Sequence, residues 1–182
     1  MKSMSLIGLT IAAALLMGSA IAGERGAKNG TFRGTINVAR ANGRVSAITL
    51  VTPEEYYDVV MDQRGLDLGE RMANKKVEIT GFVTSRNGRK LLTVQSFMPI
   101  LTGKVEAASD REGRITVVRI VSREGTFDVL LDEKGMELGR EMNGKNVEVV
   151  GVIREKTEKG RGIQQEFLVK SFNELKTGEE KE

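Results

Sequence analysis

An internal repeat is the feature of this sequence that most restricts the folds open to the chain. Residues 43–83 align with residues 113–153 at a constant offset of 70, and by direct count 15 of the 41 aligned pairs are identical. Most other pairs exchange similar residues, such as Val45 with Ile115 and Tyr57 with Phe127. Because self-similarity at a fixed offset is typical of a duplicated structural unit, the sequence predicts two copies of one small β-rich unit.

The strands of the first copy are predicted from turn signals and apolar alternation. Asn42-Gly43 and Asn87-Gly88 are typical of two-residue hairpin turns. The predicted strands are residues 31–39, 45–52, 56–62, a segment with Val77, Ile79 and Val83 on one face, and residues 91–97. The apolar positions of the second strand slip by one residue after Ala47, and the same slip in the second copy predicts a β-bulge.

A glycine-rich segment, residues 64–72, separates the third strand from the fourth. Leu68 and Met72 are four residues apart, so one helical turn would place both on the core. Gly65 and Gly69 weaken a helix, and we therefore expect a one- to two-turn helix or a turn that closes the barrel end. No phosphate-loop frame surrounds these glycines, and we expect turn geometry with positive φ to explain them.

The strand order and several short motifs resemble the OB-fold, a five-stranded Greek-key barrel with a short element between strands three and four. The shared frame is a glycine opening a strand (Gly34 and Gly103), then Tyr-Asp or Phe-Asp, Gly-x-x-Leu-Gly, Lys-x-Val-Glu-Ile/Val-x-Gly, and a closing Ser-Phe. Over residues 31–173 the chain is similar to small uncharacterised OB-fold proteins of the bacterial cell envelope. The resemblance implies an all-β barrel fold, and together with the repeat it predicts two tandem barrels, residues 31–99 and 100–174. Residues 97–103 between them are mostly apolar, unlike a flexible linker, so we expect this stretch to hold the two barrels together.

Both ends of the chain have a distinct composition. Residues 1–22 are predicted to be a signal peptide, with Lys2 before an apolar run and Ala20-Ile21-Ala22 before the cut. The alternative is a retained N-terminal anchor. Export predicts a periplasmic or secreted protein, and the charged residues 175–182 are predicted to form a disordered tail.

The composition removes most catalytic and metal-binding chemistry. The chain has no Cys and no His, so it lacks thiolates and the commonest general base and metal ligand. Asp58 and Asp62, repeated as Asp128 and Asp132, are the one recurrent carboxylate pair. On a strand they lie about 13 Å apart, too far to hold one metal or to act as a retaining acid pair, and Asp62 is placed to cap backbone N–H groups. We therefore expect no enzyme, catalytic residue, cofactor or metal.

The charge distribution separates two functional hypotheses. We first expect a non-catalytic envelope module that binds a protein or peptide through the outward apolar positions Phe82, Val150 and Val152. The alternative is a binder of anionic glycan, lipid headgroup or nucleic acid at the basic rim of the first copy, where the two hairpins of the ligand face are expected to converge beside Tyr56. This rim carries a local charge of +5, against +2 for the corresponding loops of the second copy, and its candidate ligand-binding residues are Arg40, Arg44, Tyr56, Arg86, Arg89 and Lys90.

Overall fold

The computed structural model describes residues 25–158 and 162–175, which form nine strands and two helices. The elements are β1 (Arg25–Ala41), β2 (Arg44–Val51), β3 (Tyr56–Val59), α1 (Gln63–Met72), β4 (Lys76–Arg86), β5 (Arg89–Ser109), β6 (Ile115–Ser122), β7 (Gly125–Val129), α2 (Glu133–Met142), β8 (Asn146–Glu158) and β9 (Gly162–Glu174). Neither helix in this part of the chain has the length and apolar character needed to cross a membrane. The predicted signal peptide and residues 176–182 of the predicted tail lie outside the described residues, whereas the Leu175 backbone N–H donates to Asn146 O at 2.8 Å.

The strands of the first half close into a ring. β1 pairs with β2 and β4, β2 pairs with β3, β4 pairs with β5, and a short parallel pairing of β3 with β5 completes the circuit. This order, β1-β2-β3-β5-β4, is that of the five-stranded OB barrel. The inward positions form one hydrophobic cluster that includes Ile36, Leu50 and Ile79. The predicted all-β fold class is confirmed.

The second half repeats this order of pairing. The C-terminal part of β5 pairs with β6 and β8, β6 pairs with β7, β8 pairs with β9, and a parallel pairing of β7 with β9 completes the circuit. A second hydrophobic cluster, which includes Val105, Ile120 and Phe167, fills this ring.

One continuous strand, β5, belongs to both halves. It pairs with β4 as far as Pro99 and with β8 from Ile100 onward. The expected end of the fifth strand at Phe97, followed by a linker, is therefore wrong. Ile100 and Leu101 are both buried although consecutive strand residues face opposite sides, so both faces of the strand are covered at this point. The domain limits at residues 99 and 100 remain a prediction.

The predicted hairpins and bulges are confirmed. Asn42 and Gly43 have φ angles of 52° and 77°, and the second hairpin turn has almost the same pair of values. On β2, Ala47 pairs with Ala39 but Val45 pairs with Arg40, so Ser46 is the extra residue of a bulge. The pairing of β5 with β6 leaves Thr116 in the equivalent position.

An aspartate caps the N-terminus of each helix, and each helix buries one leucine. The Asp62 side chain accepts a hydrogen bond from Gly65 N at 2.8 Å, and Asp132 accepts one from Gly135 N at 2.9 Å, as the capping hypothesis predicted. Leu68 and Leu138 are fully buried. At ten residues each, the helices are longer than the one or two turns expected.

The helical glycines have a different role from the predicted one. Gly65 and Gly69 lie inside α1, and neither is among the described residues with positive φ. A Cβ on Gly65 would lie 2.0 Å from the Val60 carbonyl oxygen, and one on Gly69 would lie 2.6 Å from Ile48 Cδ1. These positions lack a side chain because the helix packs directly on the barrel, so the turn explanation is wrong.

Gly34 and Gly103 lie within strands and do not open them. Gly34 is the point at which β1 passes from its pairing with β4 to its pairing with β2. A Cβ there would lie 2.2 Å from Val51 O, and one on Gly103 would lie 2.4 Å from Val121 O. The missing side chains let the strand bend and let the neighbouring backbone approach.

Candidate functional site

The outward face of β1, β2 and β3 in the first half is a shallow surface of small and polar side chains. Its rows follow the strand register, with Thr35 beside Val51 and Tyr56, and Asn37 beside Thr49 and Asp58. Residues paired in this way point to the same side of a sheet, and the alternate rows point into the core. We call this surface the β1–β2–β3 face.

One end of the face holds three of the predicted site residues together. Tyr56, Arg89 and Lys90 line a depression of about 450 Å³ with Glu55, Asp58 and Gly88. The parallel pairing of Asp58 with Leu91 brings the hairpin of β4 and β5 against the start of β3. Tyr56 is 73% exposed, so its ring is open to a ligand.

Two of the rim cations are already paired with carboxylates. Arg89 Nε lies 2.8 Å from Asp58 Oδ2, and Lys90 Nζ forms an ion pair with the Glu55 carboxylate. The predicted local charge of +5 included no acid beside the five cations. Subtracting these two carboxylates lowers the local charge from +5 to +3, since strand pairing places β3 beside the hairpin.

The Glu55 carboxylate also organises the edge of the core. It accepts a hydrogen bond from the Tyr57 hydroxyl, and Lys90 Nζ lies 5.8 Å from the centre of the Tyr57 ring. Burial, followed by the charge of Glu54, raises the pKa of Tyr57. Glu55 therefore binds both the Tyr57 hydroxyl and the Lys90 ammonium group, so the charge of Lys90 is already balanced.

Two other rim arginines stand at the two ends of the face, Arg86 opposite Arg89 in the second hairpin and Arg44 in the first. Arg40 does not belong to the face, because it pairs with Val45, which packs on the core, and so lies on the inner side of the sheet. Arg40, Arg44 and Arg86 form no ion pair with any residue in the described ranges. Thr35 lies in the row of Tyr56, and Ala41 pairs with Arg44. These two residues of β1 are six positions apart, which is about 20 Å along the strand.

The expected convergence of the arginines beside Tyr56 is therefore wrong, and Arg44 and Arg86 instead flank the face. They could contact a single ligand only if that ligand extends along the face.

On the corresponding surface of the second half, two arginines are paired with carboxylates of the same half. Arg119 Nε lies 2.8 Å from Asp128 Oδ1, its neighbour across the strand pair. In the first hairpin of that half, Arg114 forms ion pairs with Asp110 and Glu112. The hydrogen bond from the Arg114 side chain is the main reason that the pKa of Asp110 is lowered.

The apolar surface that was predicted to bind a protein partner is less exposed than expected. Val150 is only 2% exposed, and it pairs with the buried Ile100 at the junction of the two halves. Phe82 and Val152 are half-buried. Val150 was predicted to face outward because the strand pattern does not reveal that the other half of the chain covers this end of β8.

A larger depression, which the sequence analysis missed, lies between α1 and the β8–β9 hairpin and has a volume of about 840 Å³. Its cationic residues are Arg64, Arg71 and Lys75. The available signal was the repeat itself, because the position of Arg71 carries Glu141 in the second copy. That β8 and β9 lie across a groove from Arg71, in contrast, depends on the tertiary structure.

Within residues 25–158 and 162–175, the structure contains no group of three or more metal-ligating residues and no fully buried charged side chain. Both members of the repeated carboxylate pair have structural partners, since Asp62 caps α1 and Asp58 holds Arg89. The absence of an enzymatic activity, a cofactor and a metal remains a prediction.

Comparison with known proteins gives structural likenesses alone. No family model matches the sequence, and no curated protein matches it. The single-stranded DNA binding protein from Thermus aquaticus is similar over 86% of this chain and 97% of its own, with 13% identity and a TM-score of 0.31. The tetrameric p202 HIN2 has 11% identity over 84% of this chain and 97% of its own, with a TM-score of 0.28. A murine DNA binding protein bound with ds DNA has 13% identity over 84% and 98%, with a TM-score of 0.27. These scores are too low to support a conclusion about this chain.

Proposed function

We propose that this chain is a non-catalytic binding module that holds an extended polyanion on the β1–β2–β3 face of its first half. The observation that supports this proposal is the placement of Arg44 at one end of the face and of Arg86 at the other, without a carboxylate partner among the described residues. A bound polyanion would give these guanidinium groups the anionic partners that they lack within the described part of the protein.

The chemistry of the face favours a polymer over a single anionic group. Guanidinium groups form charge-assisted hydrogen bonds with phosphate, sulfate or carboxylate oxygens. The separation of about 20 Å between the two ends exceeds the reach of one such group, whereas a single-stranded nucleic acid or an acidic glycan would span it. Tyr56, exposed beside Arg89, offers a stacking surface for a base or a sugar ring.

A protein partner on the apolar positions of β4 and β8 is a weaker candidate, because Val150 is buried. A protein segment in the groove beside α1 is a separate proposal, argued below.

We further propose that the protein is exported to the periplasm or the medium and acts at the cell envelope. The support is the predicted signal peptide at residues 1–22. Mass spectrometry of the protein recovered from a producing cell tests this: we expect a mature N-terminus at Gly23, and an uncleaved protein confined to the cytoplasm would contradict export.

The binding test uses three probes that separate the anion classes: a single-stranded oligothymidylate, heparin, and vesicles containing anionic lipid. The informative variant is Arg44→Glu/Arg86→Glu, since neither arginine has an internal carboxylate partner to lose. Arg111→Glu/Arg123→Glu makes the same change in charge on the second half, at two exposed arginines that form no ion pair with the described residues, and is the matched control.

We expect the oligothymidylate or heparin to bind, with an affinity that falls as salt rises because phosphate or sulfate contacts release counterions. Reversing the charge at Arg44 and Arg86 should weaken binding about tenfold or more, equivalent to about 1.4 kcal/mol. The control variant should change the affinity less than about twofold. Absence of binding at low salt, or an equal loss in the control variant, would refute the β1–β2–β3 face as the site. Binding to vesicles alone would limit the ligand to a lipid surface.

A further inference from the structure

The groove between α1 and the β8–β9 hairpin combines elements from both halves of the chain. One wall carries Arg64, Asp67 and Arg71 of α1, together with Lys75 just beyond the helix. The opposite wall carries Glu155 and Gln165, which pair with each other across β8 and β9. Its volume of about 840 Å³ is within the size range of ligand-binding clefts.

The floor of the groove is apolar. It contains Phe97 and Pro99 of β5 and Val152 and Ile153 of β8, which are half-buried except for the buried Pro99. These residues lie near the point where β5 passes from one ring to the other. The floor therefore offers apolar surface that the apolar side chains of a partner would remove from water, which favours binding.

The arginines of the helical wall are held in place by the barrel. A bulge in the pairing of β4 with β5 leaves Gln95 without a cross-strand partner, and its carbonyl oxygen accepts a hydrogen bond from Arg64. The Arg71 guanidinium lies over the Phe97 ring, 5.9 Å from its centre, and 3.4 Å from the Asp67 carboxylate. Positioned cations lose less side-chain entropy when they bind a carboxylate.

The same face of α2 has the opposite character. Lys134 occupies the position of Arg64, but it forms an ion pair with Glu137 at 2.6 Å, and Glu141 occupies the position of Arg71. Lys145, at the position of Lys75, pairs with Glu174 at 2.9 Å. The basic wall is therefore a property of the first half and not of the repeated framework.

We propose that this groove binds a protein segment that carries both acidic and apolar side chains. The acidic side chains pair with Arg64, Arg71 and Lys75, and the apolar side chains cover the floor. Arg64 and Arg71 are seven residues apart on α1, or about 10 Å along the helix axis, which sets the spacing of the acidic groups.

A nucleic acid fits this groove less well than a protein segment. Asp67 and Glu155 lie within it and would repel a continuous chain of phosphates, whereas discrete acidic residues can avoid them. The Phe97 ring is half-buried and has Arg71 over it, so it offers no open stacking surface.

The test measures fluorescence anisotropy of short labelled peptides made of Glu, Leu and Ser in which the spacing of Glu and Leu is varied. Matched peptides replace every Glu by Lys or every Leu by Ser. The protein variants are Arg64→Glu/Arg71→Glu and, as a control with the same change in charge on α2, Lys134→Glu/Arg140→Glu. Thermal melts show whether each variant is folded.

We expect at least one Glu/Leu peptide to bind, with about tenfold weaker affinity in the Arg64→Glu/Arg71→Glu variant and less than about a twofold change in the α2 variant. The Lys and Ser peptides should both bind less tightly. Failure of every Glu/Leu peptide to bind, or equal binding of the Ser peptides, would overturn the proposal. So would displacement of the peptide by the oligothymidylate, which would assign the groove to a nucleic acid.

This proposal is independent of the polyanion site. Peptide binding should be unchanged in Arg44→Glu/Arg86→Glu, and oligothymidylate or heparin binding should be largely kept in Arg64→Glu/Arg71→Glu. A change in sedimentation of the protein alone in the latter variant would identify a second copy of this chain as the occupant and would exclude an unrelated segment.

Discussion

The two halves of the chain place an aspartate at the same point of the same strand and give it different partners. Asp58 forms its ion pair with Arg89, which comes from the hairpin of β4 and β5. Asp128 forms its ion pair with Arg119, its direct neighbour on the adjacent strand. The position of Arg119 is occupied in the first half by Thr49, which has no charge with which to form an ion pair. One cross-strand difference thus decides whether the aspartate is compensated within its own hairpin or by a more distant loop.

This comparison separates the framework from the surface. The capping aspartates, the buried helical leucines and the bulges recur in both halves because each satisfies backbone groups or fills a core. The hairpin charges and the outer faces of the helices differ, since exposed ion pairs contribute little to stability and leave these positions open to change. A binding site confined to one half is consistent with this pattern.

The largest expected effect tests the shared framework. Leu68→Ala and Leu138→Ala should each lower the free energy of unfolding by about 2–5 kcal/mol, because both side chains are fully buried and truncation leaves a cavity. Denaturant unfolding of the two variants checks this. A loss in one variant and none in the other would show that the helices do not close the two rings in the same way.

The next effect tests the difference in aromatic residues between the faces. Tyr56 has Thr126 as its counterpart, so Tyr56→Thr gives the first face the character of the second. If a base stacks on the ring, the variant should bind oligothymidylate more weakly by about 1–3 kcal/mol. Heparin, which has no bases, should be affected less, and equal losses with both probes would indicate that Tyr56 acts through the local structure.

Loss of a helix cap is the third effect. Asp62→Ala and Asp132→Ala each remove the acceptor for a backbone N–H and should destabilise the protein by about 0.5–2 kcal/mol. Asn at either position should restore most of the loss, because its side-chain oxygen can also cap the helix. Thermal denaturation of the alanine and asparagine variants distinguishes capping from a need for negative charge.

The smallest effect is expected when the first half is given the ion-pair pattern of the second. Thr49→Arg should give Asp58 the cross-strand partner that Asp128 already has, contributing about 0.2–1 kcal/mol, and should release Arg89. Polyanion affinity should then rise, whereas Thr49→Gln, without the charge, should leave it nearly unchanged. Titration with heparin at low salt measures the difference, and a lower affinity in Thr49→Arg would contradict the exchange of partners.

Short-range features of this protein could be predicted from its sequence. The Asn-Gly turns depend on the φ angles that two residues can adopt, and the Asp62 cap depends on a backbone N–H three residues away. The bulge at Ser46 was detectable because the slip in apolar phase occurs in both copies. The candidate site was predictable in part, since Tyr56, Arg89 and Lys90 do line one depression.

The remaining features depend on contacts between residues far apart in the chain. The sequence by itself determined the turns, the alternation of the strands, the capping aspartates and the all-β class, because each follows from neighbouring residues and from the period of two along a strand. Only the tertiary structure decided that β5 runs through both halves, that Val150 is covered, and that Gly69 lies against the Ile48 side chain. It also decided the partners of Arg89 and Lys90 and the existence of the groove beside α1, since charge and exposure at these positions depend on which strands are paired beside them.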